Sequence, residues 1–376
     1  MGRNILLINW RDIQHPEAGG AEVHAHEIFS RIAAAGHRVT FLTCAWPGCA
    51  PEAVIDGIEV LRRGSNFTFN YSVPGIVRRE LAGRGFDILV EDVNKIPFRS
   101  PSFWTGPRLI LFHHLFGGSI FRETFFPVAS YVWLWEKMIP AFYRGEHCQA
   151  VSQDTAAELV GLGFERARMK VVYNGIESTL YTPATAGDSL PLDGPYCLYM
   201  GRIKRYKRLD LVLEAFARAR GEGLDSGLRL VFAGAGDDYP RLESRAAALG
   251  LREAVTFEGR VSLERKLALL RHALAVLNPS PKEGWGITNL EASACGAPVI
   301  ASRSPGLRES VLEGESGFLF EPGDVAGFAA LICRVAADSG LRERLSRGAR
   351  EFAGRFTWEN SAAQTIEHIE QIIGRG

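Results

Sequence analysis

The chain has no charge excess. Lysine plus arginine and aspartate plus glutamate each number 43, which excludes a nucleic-acid binder that relies on a basic surface. Cysteine is sparse and badly spaced for chemistry. Cys44, Cys49, Cys148, Cys197, Cys295 and Cys333 form no Cys-x-x-Cys pair, so neither a zinc site nor a disulfide framework is expected. Reduced thiols in a cytoplasmic protein are the plain expectation. No run approaches the roughly 20 apolar residues that a spanning helix needs. The first apolar run, Asn4–Asn9, is too short for a signal-peptide core and is expected as a strand. There is no low-complexity tract and no short internal repeat.

What is present is a globular chain of 376 residues, 46% hydrophobic, comfortable as two domains. Two halves follow one grammar of apolar strand, glycine-bearing loop and amphipathic helix. In the first half, strands are predicted near 4–9, 38–43, 88–90, 109–112 and 149–151, with a helix over 21–35 ending at Gly36. In the second, strands fall near 196–200, 228–233, 255–257, 275–277 and 298–301. Helices near 209–220, 239–249, 263–272 and 289–294 alternate with them. Buried strands alternating with helices imply parallel sheets in an α/β fold. The proline- and glycine-bearing stretch 177–195 reads as a linker, and 356–373 as one or two terminal helices.

Ligands of open parallel sheets bind at the carboxyl ends of the strands, and four loops there carry chemistry. The first ends in Gly19-Gly20-Ala21-Glu22 before a helix. Paired glycines and free helix-terminal amides suit an anion, or simply an ordinary turn. The second is His113-His114, which can meet a sugar hydroxyl or developing charge, or be structural. The third, Gly201-Arg202-Ile203-Lys204-Arg205-Tyr206-Lys207-Arg208, crowds cations that repel unless an anion or solvent intervenes. The fourth, Glu283-Gly284-Trp285-Gly286-Ile287-Thr288-Asn289-Leu290-Glu291, runs into a helix whose dipole favours an ionised Glu291. That carboxylate can accept two hydrogen bonds from a vicinal diol such as ribose. The plain alternative is a capped helix with solvated acids. Gly234-Ala235-Gly236 also follows a strand, but position 239 is tyrosine, so the dinucleotide fingerprint is incomplete.

These residues resemble the retaining glycosyltransferases of family 4 over nearly the whole chain. The most specific element is Glu283-x7-Glu291 with its continuation 292–300. Gly201-Arg202-x4-Lys207, Gly19-Gly20-Ala21-Glu22 and Tyr173-Asn174-Gly175-Ile176 match in order and spacing. The resemblance implies a GT-B fold: two Rossmann-like domains facing across a cleft. It places an acceptor-binding domain over 1–183, joined by the last helix 357–376, and a donor-binding domain over 184–356. It implies a nucleotide-sugar donor, UDP- or GDP-linked, and a glycan, lipid-linked or small-molecule acceptor in cell-envelope or glycoconjugate synthesis. Arg202 and Lys207, after Gly201, would hold the diphosphate. Glu291 would bind the ribose, and Glu283 the transferred sugar. Gly286 and the amides near Ile287 and Thr288 would touch sugar or phosphate. Gly20, beside Gly19, would close over the phosphates, and His113 would contact the sugar, with His114 as its substitute. Arg260 is grouped with the donor-binding residues.

No Asp-x-Asp occurs, so no metal and no other cofactor is expected; preorganised cations can take the metal's place on the leaving diphosphate. The rivals are a nucleotide-sugar epimerase, hydrolase or phosphorylase of similar architecture, and a non-catalytic sugar-nucleotide binder. Glu91 and Asp92, after a first-half strand, are candidate acceptor contacts. The aromatic stretch Ile120–Arg144, with Phe121, Phe125, Phe126, Tyr131, Trp133, Trp135, Phe142 and Tyr143, is expected as a buried helix pair. The alternative is docking on a lipid-linked acceptor or, peripherally, on the inner face of a membrane.

Overall fold

The computed structural model describes residues 2–94, 96–122 and 126–374. Phe125 of the aromatic stretch, and residues 1, 375 and 376 at the ends of the expected domains, lie outside these. The chain divides into two compact units, Met1–Gly175 with Trp358–Gly376, and Ile176–Thr357. The expected break after residue 183 comes later than this division. The reason is local: Ile176 bridges to Thr357 and its amide donates to the Phe356 carbonyl, so the second unit already holds the chain there.

Among the described residues, the first unit has eight strands: β1 (Asn4–Ile8), β2 (Arg38–Cys44), β3 (Glu52–Ile55), β4 (Ile58–Arg63), β5 (Ile88–Val93), β6 (Arg108–Phe112), β7 (His147–Ala150) and β8 (Met169–Val171). Their order is β3-β4-β2-β1-β5-β6-β7-β8. Every neighbouring pair is parallel except the β3–β4 hairpin. The strand order reverses between β1 and β5, which makes the crevice above them the switch point where ligands of such sheets bind. Among the described residues, this part of the chain has four α-helices: α1 (Gly20–Ala34), α2 (Phe69–Ile76), α3 (Phe126–Tyr143) and α4 (Gln153–Gly161). α1 buries Ala25, Ile28, Phe29 and Ile32, one helical stripe, against β1 and β2 residues such as Ile5 and Phe41.

The second unit has six strands, all parallel: β9 (Tyr196–Met200), β10 (Arg229–Ala233), β11 (Val255–Gly259), β12 (Ala275–Asn278), β13 (Val299–Ser302) and β14 (Gly317–Phe320). Their order is β11-β10-β9-β12-β13-β14, with the reversal between β9 and β12. Six helices cover the two faces: α5 (Asp210–Gly221), α6 (Tyr239–Ala248), α7 (Leu263–His272), α8 (Ile287–Ala294), α9 (Val325–Ala337) and α10 (Ser339–Ala353). Strands buried on both faces explain the unbroken apolar run of β9. One layer of core joins Phe216, Phe232 and Phe328; the other joins Leu198, Val276 and Ala292. The chain ends on α11 (Trp358–Ile373), which belongs to the first unit and packs on α1.

The expected buried helix pair over 120–144 is corrected. Its described residues hold the end of a short 3-10 segment, Gly117–Arg122, and one helix, α3. α3 buries one stripe, Ala129, Val132, Glu136, Ile139 and Tyr143. Its remaining aromatic side chains are exposed or half-buried, because one stripe of an 18-residue helix cannot bury residues from every face. No helix among the described residues is long and apolar enough to cross a membrane.

Candidate functional site

In the second unit the third and fourth loops meet at the switch point, because they follow the neighbouring strands β9 and β12. The cation loop rests on the loop after β10: the Gly201 amide donates to the Ala233 carbonyl and the Ile203 amide to that of Ala235, both at 3.0 Å. Gly234 and Gly236 permit this approach. A Cβ on either would lie 1.8 Å from the carbonyl oxygen of Gly201 or Ile203. The incomplete dinucleotide fingerprint is thus the backbone seat of the cation loop.

On that seat Lys207 forms an ion pair with Glu283, its side chain 12% exposed. Burial by itself lowers the Lys207 ammonium, but Glu283 more than reverses this and holds it above the ordinary lysine range. Arg202 is exposed, and its Nη2 donates to the Tyr206 hydroxyl at 3.0 Å. The cation loop and the Glu283 loop therefore share one patch. The Glu283 amide also donates to the Pro305 carbonyl at 3.1 Å, which pins the loop from the β13 side.

α8 starts after Gly286 without a side-chain cap, so the amides of Ile287 and Thr288 stand in an uncapped first turn. One turn on, Glu291 is nearly buried and its Oε1 accepts from Lys266 Nζ at 2.6 Å. Lys266 also donates to the Tyr181 hydroxyl at 2.9 Å. This pairing was not visible in the sequence, since Lys266 lies on α7 and Tyr181 in the linker. Asn289 is fully buried and ties α8 to Asn278 of β12 and to Ser310, each at 2.9 Å. Arg260 is exposed just beyond β11, whose last residue, Gly259, accepts from the amide of Gly234 at 2.7 Å beside the seat of the cation loop.

The first unit has its own polar cluster over the switch point. Asp92, at the end of β5, is fully buried. Its Oδ2 accepts from Asn9 Nδ2 and meets His113 Nε2, both at 3.1 Å. His113 follows β6, the strand beside β5. Burial lowers its pKa, but the Asp92 charge and hydrogen bond outweigh that, and the net direction is upward. His24 of α1 stands edge-on to His113, ring centres 4.7 Å apart, and goes the other way. Burial and then the His113 charge push its pKa well down, which favours the neutral ring. Sequence reasoning missed Asn9 and His24; the signals were a polar residue closing an apolar strand and a histidine on an inward helical stripe. His114 is half-buried and packs on Phe116, ring centres 4.5 Å apart.

Two expectations are corrected here. Glu91 is fully buried, and it accepts from the amides of Phe98 at 2.7 Å, Arg99 at 3.2 Å and Ser100 at 2.9 Å, and from the Tyr143 hydroxyl. It holds a loop together and has no face for an acceptor. Asp92 likewise acts on His113 and Asn9 from inside. Gly19 caps α1, and its amide donates to Glu22 Oε2 at 2.7 Å, so the protein's own carboxylate occupies that anion position. Gly20 heads the helix beside it.

The comparisons agree with this architecture. A sucrose-phosphate synthase from Thermosynechococcus elongatus superposes over 100% of both chains with a TM-score of 0.84 at 23% identity. The Anabaena protein HepE, solved with UDP and glucose, superposes over 98% of this chain and 100% of its own, TM-score 0.77, at 19% identity. The fold is GT-B, built of two Rossmann-like domains. Residues 186–352 match the model "Glycosyl transferases group 1", and residues 18–180 match "Glycosyltransferase Family 4". The chain belongs to glycosyltransferase family 4. The D-inositol 3-phosphate glycosyltransferase of Acidothermus cellulolyticus is 36% identical over 232 residues, 58% of this chain and 50% of that protein. The chain spans about half the length of the first curated relatives it matches.

Proposed function

We propose that the protein is a retaining, metal-independent glycosyltransferase that moves a hexose-type sugar from a UDP- or GDP-sugar to a glycan, lipid-linked or small-molecule acceptor. The observation that carries this is the patch of Arg202, Lys207 and Glu283 at the second unit's switch point, beside an uncapped helix start. Breaking a sugar–phosphate bond leaves negative charge on the departing diphosphate. Arg202, Lys207 and the α8 amides supply fixed positive charge for it, in the manner that lowers such barriers most. Glu283 then trades its ion pair with Lys207 for the sugar hydroxyls as the diphosphate takes over the ammonium. Glu291, oriented by Lys266, accepts the ribose hydroxyls. His113, set by Asp92, donates to or accepts from the transferred sugar. No protein nucleophile is assigned; attack comes from the same face as departure. HepE's UDP and glucose, and the glycosyltransferase activity of the Acidothermus cellulolyticus relative, support the donor class.

The test is a screen of UDP-, GDP- and ADP-sugars for slow hydrolysis and transfer, with and without EDTA. Turnover of a UDP- or GDP-sugar that survives EDTA, releases the retained anomer and falls at least tenfold in Lys207→Ala is expected. Binding without turnover would make the protein a sugar-nucleotide binder. Loss in EDTA restored by manganese would overturn the role of Arg202 and Lys207.

A further inference from the structure

Among the described residues, large hydrophobic side chains left in solvent concentrate in one part of the first unit. Phe67 is 90% exposed, Phe126 73%, Leu134 56% and Tyr71 55%, with Tyr131 and Trp133 each more than a third exposed. They are one surface, because the Tyr71 hydroxyl of α2 hydrogen-bonds that of Tyr131 on α3. Tyr131, Leu134 and Met138 line one stripe of α3, and Trp133 with Lys137 lines the next.

The exposure is enforced from below. Glu136 lies on the buried stripe and accepts the amides of Phe116 at 2.5 Å and Gly117 at 2.6 Å. Tyr143, at the end of that stripe, donates to Glu91. Turning the helix to hide its aromatics would separate Glu136 from the Phe116 and Gly117 amides and take the Tyr143 hydroxyl from Glu91, a cost of several hydrogen bonds to charged groups. α3 is thus fixed with its apolar side outward.

Charge names the occupant. Segment 65–79 contains no acidic residue and segment 126–144 contains only Glu136, which is buried. Arg78, Arg79, Lys137 and Arg144 are exposed on the same two segments. Lys137 lies over the Trp133 ring, 5.5 Å from its centre. A second copy pairing through this face about a two-fold axis would set cations against cations. A face of tryptophan, tyrosine and phenylalanine ringed by lysine and arginine matches the boundary between acyl chains and anionic headgroups.

We propose that the outer face of α2 and α3 is a docking surface for an anionic lipid bilayer. The helices lie on the surface and do not span it. Glu136 then ties the docked helix to the 116–117 backbone, three residues beyond His113, so the loop carrying His113 is held at the bilayer. Docking does not depend on the sugar-transfer activity and is read without it.

The experiment is flotation of the full chain with phosphatidylglycerol vesicles and, separately, phosphatidylcholine vesicles. The protein is expected to float with the first and to stay with the dense fraction in the second. Combining Phe126→Ser, Trp133→Ser and Leu134→Ser should lower the bound fraction at least tenfold. Arg78→Ser with Arg79→Ser leaves the aromatic face intact, so it guards against a folding defect. It should weaken phosphatidylglycerol binding and flatten its salt dependence. Val54→Ser, an exposed hydrophobic elsewhere in the unit, should change nothing. Absence of flotation with phosphatidylglycerol, or equal flotation of the parent and both multiple variants, overturns the proposal. So does concentration-dependent self-association abolished by the aromatic substitutions without vesicle binding, which would assign the face to a second copy.

Discussion

At the scale of single residues, Asp92 and His24 pull the pH behaviour of the first unit in opposite directions. The folded pKa of His113 lies above the ordinary value of about 6.5. Its protonated form therefore stabilises the fold fully below that value, and the contribution disappears as pH rises through the raised folded value. His24 has a lowered folded pKa, so its contribution is present above about 6.5 and is lost as pH falls towards the folded value. Asp92→Asn removes the charge that raises His113. The difference in urea midpoint between parent and Asp92→Asn should be largest on the acid side of 6.5 and shrink as pH rises through the parent's His113 titration. A ring titration of His113 should move down in the variant. A pH-independent difference would show that Asp92 acts only through its hydrogen-bond geometry. In the second unit, Gly236 is the sensitive residue. Alanine there places a methyl 1.8 Å from the Ile203 carbonyl, and relieving it must shift the seat of the cation loop. About 1–3 kcal/mol of stability should be lost, with UDP affinity falling alongside the thermal midpoint. Calorimetric titration with UDP checks it; unchanged affinity would mean the loop keeps its geometry without the seat.

At the scale of elements, the loop between β1 and α1 is organised by a buried ion pair. Asp12 and Arg62 are nearly inaccessible, and the guanidinium reaches the carboxylate at 2.8 and 3.1 Å and Gln14 Oε1 at 2.8 Å. The Trp46 ring covers it, 4.5 Å away. Asp12→Ala leaves a guanidinium buried without its counter-charge, which costs about 3–5 kcal/mol. Chemical denaturation should show this loss in the first unit's transition, and Arg62→Met combined with Asp12→Ala should recover part of it. Neither residue stood out in the sequence, since their 50-residue separation carries no periodic signal. Other elements were legible because their signals are local: β9 was bounded correctly by its apolar run, and α7, expected over 263–272, has those bounds, with the Ser262 hydroxyl capping its start. The β3–β4 hairpin went unread although Asp56-Gly57, both at positive φ, is the usual two-residue turn. Its strands are short and half-polar, with alternation too brief to register. α3 was misjudged for the opposite reason: its sequence is apolar on nearly every side, so no pattern tells the buried stripe from the exposed one. The candidate site was legible where motif spacing carried it, in Arg202, Lys207, Glu283 and Glu291. It was not where partners arrive from distant elements, as Lys266 does for Glu291 and Asp92 for His113.

For the whole molecule, the chain's course makes the two units unequal in their dependence on its end. The second unit is continuous from Ile176 to Thr357, whereas the first is completed only by α11. α11 inserts Trp358, Ala362, Ile369 and Ile372 among Ile5, Leu7, Ile28 and Phe29, the centre of the first unit's core. Gln149 of β7 and the Tyr173 carbonyl reach the same helix through Thr365 at 3.0 Å and Ser361 at 2.7 Å. The exposed pair of Arg31 with Glu359 at 2.7 Å adds little beside that. Large-to-small changes in such a core cost about 2–5 kcal/mol for isoleucine and about 3–5 kcal/mol for tryptophan. A domain's total stability is about 5–15 kcal/mol, so Trp358→Ala with Ile369→Ala should nearly exhaust it. The two sites share neighbours, so their costs will not add strictly. Hydrogen exchange read separately over the two units should show amides of β1, β2 and β5 losing protection by orders of magnitude. Those of β9, β10 and β12 should keep theirs, because no residue of α11 belongs to that core. Equal loss in both units would mean that they unfold as one cooperative body, and that their separate cores do not set separate stabilities.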